Sequence, residues 1–161
     1  MALGDNTLAT ARGNTQRGRN PYMVQTVVNM ATALSDKGSA LAAADVIPAI
    51  AVPKGTCILN AGIEVDTAQT SASALTLDLG TGVDADVFVD GFDGTSAAGV
   101  LAQNPAVYQP VMAVADDNID LKIATLTGTL STGKFRVWAI LMDCTDTGDM
   151  AANEVARDAL A

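Results

Sequence analysis

The chain has no histidine. That removes the usual general base at neutral pH, the Ser-His-Asp and Cys-His arrangements, and the commonest metal ligand. Two cysteines, Cys57 and Cys144, make neither a disulfide framework nor, without histidine, a zinc site. They read as small buried hydrophobes, with a bridge open if their strands pair antiparallel. Aromatic residues are scarce at 4%, so the core has to be aliphatic. Bases are scarce too: nine against eighteen acids, a net charge of −9. Phosphate binding needs Lys and Arg, so no nucleic-acid partner is expected. No run of eighteen apolar residues exists, so no membrane span is expected. No Gly-x4-Gly-Lys-Ser/Thr occurs, and no cofactor is expected. The opening residues lack a basic stretch followed by an apolar one, which reads as no secretory signal and synthesis in a reducing cytoplasm.

What is present is a period of two. In Thr56–Thr67 the residues Cys57, Leu59, Ala61, Ile63 and Val65 fall on one side, with Asn60, Gly62, Glu64 and Asp66 on the other. Leu75, Leu77 and Leu79 repeat the pattern against Thr76 and Asp78. Ile119, Leu121 and Ile123 alternate with Asp120 and Lys122. Strands with one buried and one wet face need a second layer over the apolar face. The fold class expected is therefore all-β: an antiparallel β-sandwich or jelly roll with acidic exposed faces.

Three regions follow. Residues 1–20 form an extended N-terminal arm, residues 21–148 the sandwich, and residues 149–161 a short C-terminal helix capped by Asp149. Charge divides the same way: residues 1–40 carry +2 and residues 41–161 carry −11. Within the sandwich, Pro21–Leu34 reads as a strand and Ser35–Gly38 as a turn. Val46–Val52 is a strand with an edge or bulge at Pro48. Pro53-Lys54-Gly55 fits a type I turn with Pro in second place. Gly80-Thr81-Gly82 closes a tight hairpin, Ser96–Asn104 is a loop, and Val107–Ala115 is a strand. Asp116-Asp117-Asn118 is a turn. Lys134–Cys144 begins by alternating and becomes apolar on both parities through Trp138, Ile140 and Met142. Its second half is expected to be covered on both faces, by the other sheet and by a loop or neighbouring subunit.

Candidate chemistry is thin. Glu64 and Asp66 share a strand face and Asp78 has matching parity on the next strand, which is the minimum for a two-carboxylate glycosidase. A solvated acidic face explains them better. Asp84, Asp86, Asp90 and Asp93 suit Ca²⁺ by ligand type, but the EF-hand spacing fails, and no metal site is assigned. Arg12, Arg17 and Arg19 are too few for a nucleic-acid footprint; they fit an arm that orders on a protein partner's carboxylates.

The run KGSALAAADVIPAIAVPKGTCILNAGIEVDTA (Lys37–Ala68), followed by LTLDLGTGVDADVFVDGFDG (Leu75–Gly94), resembles small structural proteins of tailed bacteriophages, including those of cyanobacterial phages. Members of that type are capsid decoration, or cement, proteins. The resemblance implies a non-enzymatic β-sandwich, made in the host cytoplasm, that self-associates as a homotrimer on the outer capsid surface of the virion. Its partner there is the major capsid protein, whose neighbouring subunits it holds together. Arg12, Arg17, Arg19, Tyr22 and Trp138 are the candidate capsid- or subunit-contact residues. The alternative is a carbohydrate- or receptor-binding sandwich of a phage head fibre or tail.

Overall fold

The computed structural model describes residues 21–104 and 110–144. The arm and the expected C-terminal helix lie outside them. The elements in order are β1 (Tyr22–Asn29), α1 (Met30–Lys37), β2 (Val46–Val52), β3 (Thr56–Thr67), β4 (Ala72–Thr81), β5 (Val89–Asp93), β6 (Leu101–Gln103), β7 (Val111–Met112), β8 (Asp117–Gly128) and β9 (Lys134–Asp143). They form two sheets. Sheet A runs β1-β9-β3-β6, with β7 also on β3, and sheet B runs β2-β8-β4-β5. Every pairing is antiparallel. The all-β sandwich expected from the alternation is the fold observed.

One parity of each long strand meets in the middle. Sheet B contributes Leu75, Leu77 and Leu79 from β4 and Ile119, Leu121 and Ile123 from β8. Sheet A contributes Ala61, Ile63 and Val65 from β3 and Phe135, Val137, Ala139 and Leu141 from β9. Burying each large aliphatic side chain is worth about 1.5–3 kcal/mol, which is how so aliphatic a core holds. All three phenylalanines, Phe88, Phe92 and Phe135, are inside.

Several local expectations fail for identifiable reasons. The strand expected to Leu34 stops at Asn29, whose side chain accepts the Ala31 N–H at 3.0 Å and caps α1. The expected turn at Ser35–Gly38 is the end of that helix. Gly38, at φ +68, donates its N–H to the Leu34 and Ser35 carbonyls, the left-handed stop that glycine permits. At Pro53 the turn starts one residue later than expected. Thr56 N–H bonds to Pro53 O, and Gly55 takes φ +85 in third place, which makes it type II. Ser96–Asn104 contains β6, and Asp117 opens β8 rather than finishing a turn. Of the strand expected over 107–115, the described part is β7 alone.

β3 also breaks register, between Ile58 and Asn60. The bulge shifts parity, so Ile58 joins the core cluster, and Cys57 and Leu59 do not. β2 does bulge between Pro48 and Ile50, and it is an edge of its sheet. Gly80 lies inside β4, and residues 82–88 then fold back over it. A Cβ there would sit 2.2 Å from the Asp84 carbonyl oxygen.

Candidate interaction surface

The outward parity of sheet A is largely uncharged. On β9 the outward residues are Arg136, Trp138, Ile140 and Met142, all half-buried. On β1 the residues opposite them are Val27, Gln25 and Met23. Met23 is 60% exposed and Val27 45%. On the far side β6 adds Leu101, 59% exposed, and β7 adds Met112. Trp138 lies across Gly62 of β3, because any Cβ at Gly62 would come within 2.6 Å of the indole. Glycine thus lets the ring lie flat over the sheet. The charge on this central stretch is gathered at one end. Arg136 reaches Glu64 at 3.4 Å and Asp66 at 2.6 Å. Among the described residues the rest is a contiguous uncharged patch, the kind of surface that contact sites share.

At the β7 corner Cys57 pairs across with Met142 on one side and Met112 on the other. Cys144 N–H donates to Gly55 O at 2.8 Å, which brings the two cysteines together at one end of β3 and β9. Both are free thiols. Burial pushes the Cys57 thiol up, and neighbouring Cys144 adds to the shift.

The outward parity of sheet B has a different chemistry. Asp78, 5% exposed, accepts the Gly91 N–H at 3.0 Å and pairs with Lys122 at 3.4 Å. Thr76 and Thr125 share a 2.6 Å hydrogen bond across the strands. Burial raises the Asp120 carboxyl, with Asp117 adding to it, and one Asp120 oxygen is buried without a partner. Asp84 pushes Asp86 up in the loop above.

These positions undo the carboxylate pairing considered from sequence. Glu64 and Asp66 lie on sheet A, bound by Arg136, whereas Asp78 lies on sheet B with Lys122. In the Asp84–Asp93 stretch, Asp93 spends its carboxylate on the Thr95 N–H and hydroxyl, at 2.8 and 2.6 Å. Among the described residues no three acidic or cysteine side chains converge as metal ligands. A cavity of about 440 Å³ at one end of the sandwich, walled by Val52, Ile58, Val111 and Met112, has two carboxylates, both already engaged: Asp116 accepts the Lys54 N–H at 2.9 Å. Asp117 there accepts the Gly82 and Asn118 N–H groups.

Of the candidate contact residues, Trp138 sits at the centre of the sheet A face and Tyr22, 46% exposed, opens β1. Arg12, Arg17 and Arg19 lie outside the described residues. Met23, Val27, Leu101 and Met112 were not singled out from sequence. Met23 and Val27 sit in a stretch of mixed parity, where the outward side is legible only once β9 is known to pair with it.

No protein-family model matches the sequence, and no curated protein matches it. Solved structures do. A chain of the cyanophage Pam1 capsid asymmetric unit is similar with a TM-score of 0.62 at 17% identity, over 88% of this chain and 99% of that one. A chain of the Ralstonia phage GP4 capsid is similar at 0.57 and 15%, over 79% and 86%. A chain of the acid-stable capsid of Helicobacter pylori bacteriophage KHP30 is similar at 0.50 and 12%, over 74% and 86%. At these identities the likeness is one of fold: this chain has the sandwich of proteins found in three phage capsids.

Proposed function

We propose that this chain is a structural protein of a tailed-phage virion that decorates the outer capsid surface and cements neighbouring major capsid subunits. The apolar outer face of sheet A carries the proposal. Met23, Val27, Trp138 and Ile140 offer apolar area that a partner surface can bury. A cement protein acts by mass action: it stabilises the assembled shell that offers its site. Self-association, as the homotrimer the resemblance implies, lets one particle engage several subunits, so modest contacts add up to avidity. The acidic face of sheet B would then point away from the shell and keep particles apart.

Co-sedimentation with capsids prepared without this chain, from the phage that encodes it, tests the reading. The wild type is expected to bind saturably. Trp138→Ala combined with Met23→Ser is expected to weaken binding about 30-fold or more, as for loss of a buried aromatic anchor. Its circular dichroism should stay unchanged. Wild-type protein that fails to bind, or a double variant that binds as tightly, would overturn the proposal.

A further inference from the structure

Among the described residues the sandwich has four open strand edges, and three are blunted. β2 carries Pro48 and a bulge. β5 is five residues long, with Gly91 at φ +70 and aspartates at 90 and 93. β6 and β7 span three and two residues. Proline, bulges, charge and shortness are the devices by which sheets refuse further strands. β1 has none of them. It runs eight residues, Tyr22–Asn29, uncharged, paired to β9 without a register break.

Beside this edge runs a groove. Of two adjoining cavities, one of about 240 Å³ lies between β1, β2 and α1, and one of about 500 Å³ lies beyond it between α1 and β2. They share Ala33, Asp36, Ile47 and Pro48. Lys37 is taken by Asp45 at 2.5 Å and holds its carboxyl below the usual range. Asp36 has no ion-pair partner among the described residues. The groove therefore offers a strand edge, a floor of mixed apolar and polar side chains, and a carboxylate without an ion-pair partner among the described residues.

The chain has a segment of matching character. Residues 1–20 contain no proline and carry Arg12, Arg17 and Arg19 against one acid, Asp5. They end at Pro21, directly before β1. Twenty residues reach about 66 Å when extended, far beyond the copy they belong to.

We infer that the β1 edge and its groove receive the N-terminal arm of a neighbouring copy as an added strand, with an arm arginine meeting Asp36. This rests on the self-association in the proposed function and names the surface that makes it. Each copy gives one arm and receives one, a head-to-tail contact that closes into a ring. Main-chain hydrogen bonds supply the affinity, as in other strand additions.

Light scattering on the full chain and on a chain lacking residues 1–20 provides the first test. The full chain is expected as a closed oligomer at micromolar concentration, and the truncated one as a monomer with unchanged circular dichroism. Asp36→Lys in the full chain should weaken association at least tenfold. A second test uses a Cys57→Ala, Cys144→Ala background with Gln25→Cys and a single cysteine moved through positions 6–12. Oxidation should link different chains, strongest at every second position. A full-length monomer, a truncated chain that keeps its oligomeric mass, or links formed only within one chain would overturn the inference. Capsid binding is measured separately, so a monomer that still binds capsids removes the arm contact and leaves the cement role standing.

Discussion

In the middle of sheet B, Asp78 and Lys122 face each other across β4 and β8, beside a pair of hydrogen-bonded threonines. In the middle of sheet A, the same outward positions hold Trp138 and Ile140, beside Met23 and Gln25. The inner faces of the two sheets are alike, so this difference has nothing to do with closing the core. A polar outer face costs little to leave in water. An apolar one costs roughly 25 cal/mol per Å² for as long as it stays wet. The contrast teaches that the described residues leave apolar side chains on the outside of sheet A and place polar, mutually paired ones on the outside of sheet B.

The likeness of the inner faces gives the largest expected effect. Ile63→Ala in sheet A and Leu121→Ala in sheet B should each cost about 2–5 kcal/mol in urea unfolding. Both side chains are fully buried. A large loss at Leu121 with almost none at Ile63 would show that sheet A is not held by the shared core, and the comparison would break there.

A smaller effect separates two glycines. Overpacking costs about 1–3 kcal/mol. Gly80→Ala should lie at or above the top of that range, because its Cβ would meet the backbone of Asp84 and Ala85 at 2.2 Å. Gly62→Ala should lie nearer the bottom, since it meets the Trp138 ring and the carbonyl of Ala102 on the three-residue β6, which can shift. The sole tryptophan reports the change directly: its fluorescence should move in Gly62→Ala and not in Gly80→Ala. A double-mutant cycle should also find Gly62→Ala cheaper once Trp138 is alanine.

Much of this was legible in the sequence, and the residues show where it stopped. β8 announces itself because Ile119, Leu121 and Ile123 alternate with polar neighbours, and local sterics decide such a strand. β3 was half read: the bulge before Asn60 is invisible in a pattern where Cys57 and Leu59 are as apolar as Ile58. α1 was missed because the β-branched run before it masked the helix start that Asn29 caps. The excess of apolar residues at Trp138, Ile140 and Met142 did signal a covered outer face. Which strand would extend that face depends on tertiary pairing, and β1's role followed only from its register with β9. The expectation of acidic exposed faces fails on sheet A for the same reason: apart from Glu64 and Asp66, its outward side chains are mostly apolar.

The smallest effect sharpens the contrast from the sheet B side. Burial holds the Asp120 carboxyl above its ordinary pKa, so its charged form is less favourable in the fold than in the unfolded chain. A raised carboxylate lowers stability at pH values above its folded pKa, and that penalty fades as the group takes up its proton. Asp120→Asn should therefore melt slightly higher than wild type at pH 7, by about 1–2 °C for a partly exposed group. The gain should shrink as pH falls and vanish near pH 4, where an unfolded aspartate is also becoming protonated. Asn60 provides the counterpart on sheet A: it too has a buried, unpartnered oxygen, but it carries no charge. Asn60→Ala should show no such pH dependence. A melting difference that followed pH equally in both variants would mean that the penalty on sheet B is not one of buried charge.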